Sequence, residues 1–117
     1  MSGHLGTLYK RRDLDATEHP TTTDIILAAG WYEGEGHCRY FDTEAATITQ
    51  QDLWILRRLK NKFGGSVSKL NGPNKSGSYC HHWRVCGTRA RGFLMTIYQF
   101  LSPWRKAQIR RALRVLP

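Results

Sequence analysis

The 117 residues are enough for one domain with its own core, and at 40% hydrophobic and 23% charged the composition excludes a disordered or fibrous chain. The 18 Lys and Arg outnumber the 9 Asp and Glu and leave a net charge of +9. A surplus of that size points to a polyanionic partner, either nucleic acid or an anionic membrane surface.

Residues 1–20 carry one basic cluster, Lys10-Arg11-Arg12, and no periodicity, so they read as a mobile arm ahead of a domain over 21–117. They lack the apolar core of about 7–15 residues that marks a secretory leader. Thr22 or Thr23 then offers the N-cap of a helix over 25–35, with Asp24 in its first turn and Gly36 closing it. The longest apolar run, 25–30, falls far short of the roughly 20 residues of a membrane span. Segments 37–41 and 45–50 flank the turn Asp42-Thr43-Glu44 and read as a hairpin. Leu53, Leu56, Leu59 and Phe63 give a helix that stops at Gly64-Gly65. A second strand pair, 66–70 and 78–86, surrounds the turn-rich stretch 71–77. Ala90, Phe93, Leu94, Ile97, Tyr98 and Leu101 recur at helical spacing. Ser102-Pro103 opens a last helix with Ile109, Ala112, Leu113 and Leu116 on one face and basic residues elsewhere around it. The chain is therefore α+β, two hairpins joined by a helix.

Cys38, Cys80 and Cys86 are too few, and odd in number, for a disulfide framework, and point to an intracellular, reducing compartment. Cys80 and Cys86 span about 20 Å in an extended strand, at ~3.3 Å per residue, so one tetrahedral zinc would need a sharp bend between them.

The first helix breaks two rules at once. Glu33 and Glu35 stand at its C-terminal end, where the macrodipole disfavours acids, and Gly30 and Gly34 lie inside it, each costing about 1 kcal/mol relative to alanine. Glycines four apart share one face and let a second helix approach closely. Acids at the end of such a seam would be brought near their counterparts, and crowded carboxylates suit a hard divalent cation.

Ala28-Ala29-Gly30-Trp31-Tyr32-Glu33-Gly34-Glu35-Gly36 resembles the LAGLIDADG motif of homing endonucleases, in its Gly-x-x-Glu-Gly-Glu-Gly form. Ile48-Thr49-Gln50-Gln51-Asp52, Phe63-Gly64-Gly65, Trp83-Arg84-Val85 and the run Leu101…Arg105…Gln108 resemble later segments of that family, in order, over 22–116. The resemblance implies an αββαββα homing-endonuclease-like fold with an additional C-terminal helix and a twisted antiparallel DNA-binding sheet. It implies a sequence-specific, metal-dependent endonuclease, a hydrolase of phosphodiester bonds associated with intron mobility, that cuts both strands of a long, roughly palindromic DNA site. One motif copy implies a homodimer, with Ile26, Ala29, Gly30, Glu33 and Gly34 in the interface. Glu35 takes the place of the metal ligand, for Mg²⁺, with Mn²⁺ or Ca²⁺ able to replace it for binding. Gln50 falls where a glutamine orders water, and Arg105 falls at the catalytic basic position, with Lys106 as its fallback.

On the implied sheet, alternation turns Cys38, Tyr40, Ile48, Val67, Trp83 and Val85 inward. It turns His37, Arg39, Phe41, Thr47, Thr49, Ser66, Ser68, His82 and Arg84 to DNA, Arg39 and Arg84 being the guanine readers. Lys69 and Lys75, at or beyond a strand end, suit phosphates. Neither a membrane nor a small-molecule substrate is expected. The rival function is a non-cleaving nucleic-acid binder of the same fold, an intron-splicing maturase or a DNA-binding regulator.

Overall fold

In the computed structural model, residues 14–40, 42–70 and 80–114 are described. The expectations placed on 1–13, Phe41, the 71–77 turn with Lys75, and Leu116 lie outside them.

Helix α1 (Thr22–Glu35) starts one residue before the expected cap, at Thr21. Only Thr21 has an acid three residues on. Its hydroxyl accepts from the Asp24 N–H at 3.1 Å while the Asp24 carboxylate accepts from the Thr21 N–H at 2.9 Å, a reciprocal capping box. Asp24 is 3% exposed and also binds Arg58 at 2.6 Å and Lys62 at 3.4 Å. Its carboxyl is held well below the usual range, first by the Thr21 N–H and then by the Thr21 hydroxyl, Arg58 and Lys62, against the opposing effect of burial.

Strands β1 (Gly36–Tyr40) and β2 (Glu44–Gln50) form the first hairpin. Helix α2 (Leu53–Phe63), capped by Asp52, ends at Gly64 as expected. Gly64 has φ +80, and a Cβ there would come within 2.5 Å of the Leu14 carbonyl. That contact belongs to a segment expected to be mobile. Residues 14–20 are instead tied to the end of α2: Leu14 O accepts from Gly65, Asn61 O accepts from Thr17 and Glu18, and Asp15 and Glu18 pair with Arg89 and Lys62.

Strands β3 (Ser66–Lys69) and β4 (His81–Cys86) form the second hairpin. The four strands make one antiparallel sheet in the order β1-β2-β4-β3, so the hairpins meet through β2 and β4. Helix α3 (Gly87–Ile97) follows β4 and tightens into a 3₁₀ turn, Tyr98–Phe100. The apolar spacing alone predicts α-helix as far as Leu101. Pro103 disfavours helical backbone at Ser102, which instead caps α4 (Pro103–Ala112).

All four helices cover one face of the sheet. Cys38, Ala46, Ile48, Trp83 and Val85 pack there against Ala28, Tyr32, Leu56, Leu59, Leu94, Ile97 and Ile109. Phe93 is the hub, edge-on to Trp83, Phe63 and Tyr32 at 4.7, 5.1 and 6.3 Å between centroids. The indole N–H of the fully buried Trp83 donates to Gly64 O at 2.7 Å. Among the described residues no helix is long and apolar enough to cross a membrane.

Candidate nucleic-acid interface

Among the described residues the helices leave the other face of the sheet bare. Strand pairing sets its side chains in cross-strand rows: His37, Thr47, Arg84 and Ser66 in one, and Thr49, His82 and Ser68 in the next. A third row holds Arg39, Ala45 and Cys86. His37, Arg39, Thr47, Thr49, His82 and Arg84 line an open groove of about 230 Å³ with Ala45 on its floor. The Ser68 hydroxyl and His82 Nε2 are hydrogen-bonded at 3.0 Å, and Arg84 Nε donates to the Cys86 sulfur at 3.2 Å. Eight of the eleven residues assigned to DNA thus stand on one polar surface, with Arg39 and Arg84 two residues' width apart on neighbouring rows. Ala45 and Cys86 were missed, although the same alternation places them there.

Lys69 is exposed at the end of β3, the strand end expected of it, and off the bare face. Ser68 faces outward opposite His82, so the next residue, opposite His81, faces the helix side, where Lys69 lines a different groove with Arg57, Lys60 and His81. Tyr40 has the inward parity but is 38% exposed, with the Arg114 guanidinium over its ring. His81 and His82 occupy opposite faces, and among the described residues no group of three His, Cys, Asp or Glu is placed to hold a metal ion.

Glu35 is the last residue of α1 and is exposed. It precedes Gly36, the first residue of β1, and so stands two residues before His37, the first of the groove's lining residues in the chain. Gly36 is fixed by a close approach, since a Cβ would lie 2.2 Å from the Tyr32 ring. With Gly36 opposite Ile48, half-buried Gln50 lies two steps further along β2, abreast of the end of α1.

Glu33, assigned to the dimer interface, acts within the chain. Its carboxylate accepts from the Ser102 N–H at 2.7 Å and from the Ser102 hydroxyl at 2.8 Å, where a negative charge meets the N-terminal end of α4. Arg105 is likewise not presented to a substrate. It is 6% exposed and donates to Glu33 O at 3.1 Å, Gly36 O at 2.8 Å and Gln108 Oε1 at 2.9 Å, sandwiched between Tyr32 and Trp104. The end of α1 has no basic residue of its own, and Arg105 supplies donors for its orphan carbonyls from another helix. Lys106, the fallback, is half-buried with its ammonium 5.5 Å from the Tyr98 ring.

The remaining interface residues divide. Ala29 is 3% exposed and belongs to the core, on the side of α1 that carries Ala28 and Tyr32. Ile26 is 50% exposed, Leu27 is 38% exposed, and a Cβ at Gly30 or Gly34 would meet nothing within 4 Å. One face of α1 is thus apolar, notched and uncovered among the described residues.

No protein-family model and no curated protein matches the chain.

Proposed function

We propose that the protein is a metal-dependent DNA endonuclease of the LAGLIDADG type, an αββαββα fold with an additional C-terminal helix that works as a homodimer. The observation that carries this reading is α1 itself. Its exposed face of Ile26, Leu27, Gly30 and Gly34 runs to an exposed Glu35, two residues before the groove-lining His37. A helix apolar on both sides calls for burial on both sides. A second copy packed at the glycines would bring two Glu35 carboxylates together near a two-fold axis, one for each strand of a roughly palindromic duplex.

A hard divalent ion would find one carboxylate in each chain and a pair in the proposed dimer. Each chain offers one exposed carboxylate at the helix end, and the partner copy and phosphate oxygens would complete an oxygen-rich site. Bound there, Mg²⁺ would supply charge neutralisation and an acidified water for phosphodiester hydrolysis. The chain's own residues hold the duplex. Arg39 and Arg84 present guanidinium forks to base edges, and Thr47, Thr49 and Ser66 add permissive hydroxyl contacts. Gln50, abreast of the helix end, would orient water there.

The non-cleaving binder is favoured by one observation: Arg105 is tied to backbone carbonyls, and Lys106 lies against Tyr98, so neither stands free beside Glu35. Incubation with Mg²⁺ and a randomised duplex library separates the two. The endonuclease reading expects double-strand cuts by the wild type and none by Glu35→Gln, with binding retained. Binding without cuts by either form would leave the maturase or regulator.

A further inference from the structure

We propose that the C-terminal end of α4 and the edge strand β1 form a clamp for the phosphate backbone of duplex DNA flanking the sheet site. This rests on the reading of the sheet face as a duplex-binding surface and names residues outside that face. A second groove, of about 350 Å³, runs between β1 and α4 and is lined by Arg39, Tyr40, Gln108, Arg111 and Arg114 among others. Arg39 also lines the groove on the bare sheet face, so the two grooves meet at β1 and form one continuous surface.

Two independent features mark the far end of that surface. Arg114 has φ +58, the one positive φ at a non-glycine position among the described residues. It follows the C-cap Leu113, where glycine is the residue that adopts this conformation without strain. An arginine is held there instead, its guanidinium 4.4 Å from the centre of the exposed Tyr40 ring, at the rim of the groove. Second, α4 does not need these cations for its own end. Arg91 from α3 donates to Leu113 O at 2.9 Å, and the same Arg91 pairs with Glu44 at 3.1 Å. The acid opposite Tyr40 is thereby neutralised, and the side-chain donor at the helix end is Arg91 rather than the guanidinium of Arg111 or Arg114. Both are exposed and have no carboxylate within ion-pair distance among the described residues. Cations on an open groove continuous with a base-reading surface suit phosphates, which fix register and carry no sequence information.

The test uses the full chain and a labelled duplex of random sequence, titrated over a series of salt concentrations. Arg114→Gly and Arg111→Gln should each weaken binding uniformly across sequences and make the log affinity against log salt slope shallower by roughly 1. Arg114→Gly should melt no lower than the wild type, because glycine takes that backbone conformation freely. A purely structural Arg114 would show the reverse, a lower melting temperature with an unchanged slope, and that result overturns the clamp. So would a loss confined to particular base pairs, or a loss seen with single-stranded RNA and not with duplex DNA. Arg84→Ala is the control for the underlying reading. If it alters binding at one symmetric base pair while the α4 variants change nothing, only the clamp falls. If the wild type shows no salt-sensitive duplex binding, both fall.

Discussion

Asp24 joins three parts of the molecule: the cap of α1 at Thr21, Arg58 and Lys62 of α2, and through Lys62 the segment anchored by Glu18. Because its folded carboxyl is depressed, it contributes stability that is present above the unfolded value of about 3.9 and is lost as pH falls through and below it. Glu44, lowered mainly by its own backbone N–H and also by Arg91, acts in the same direction. The wild type should therefore lose stability progressively below about pH 5. Asp24→Asn should be less stable at neutral pH and show a flatter acid limb, measured by chemical denaturation at a series of pH values. An acid limb identical to that of the wild type would remove Asp24 from this role. Local chemistry of this kind was only half legible in the sequence. Asp24 could be read as a first-turn acid, but nothing local shows that Arg58, 34 positions away, would bind it. Arg105 and Glu33 show the same limit. Each was read by its motif position, and each is engaged by a partner about 70 positions distant, Arg105 with the carbonyls of Glu33 and Gly36, and Glu33 with Ser102.

At the scale of elements the sequence speaks more clearly, because glycine, proline and apolar spacing act locally. Gly64 ends α2 where expected, Pro103 opens α4, and strict alternation sorts the bare face from the core face along β1, β2 and β4. By the same alternation Lys69, exposed at the end of β3 after outward-facing Ser68, lies off the bare face and lines a groove with Arg57 and Lys60. The 3₁₀ turn at Tyr98–Phe100 was hidden, as its residues keep the helical apolar spacing while Ser102 is drawn away to cap α4 and bind Glu33. Helix α1 is the element whose sequence makes least sense for one chain. Gly30→Ala should stabilise the isolated chain by about 1 kcal/mol, since a Cβ meets nothing within 4 Å and alanine is the better helix former. In the proposed dimer the same methyl separates two closely packed backbones, so Gly30→Ala should weaken self-association in sedimentation velocity and Gly30→Leu should abolish it. A raised melting point with unaltered association would place the dimer elsewhere.

The whole molecule is two-sided. One side of the sheet is a core built around Phe93 and Trp83, and the other is a polar, basic surface that continues around β1 onto α4. With a net charge of +9 and with Arg39 and Arg84 on that second side, the chain carries charge of the sign that the proposed duplex partner needs, and the two-fold arrangement proposed for α1 would double that surface. The most direct measurement is strand-resolved cleavage by mixed dimers, wild-type and Glu35→Gln chains combined on a duplex that the wild type cuts in Mg²⁺. With one acid serving each strand, wild-type dimers break both strands, mixed dimers nick one, and Glu35→Gln dimers bind without cutting. Cutting of both strands by Glu35→Gln dimers, or the absence of any duplex cut by the wild type, would contradict the account.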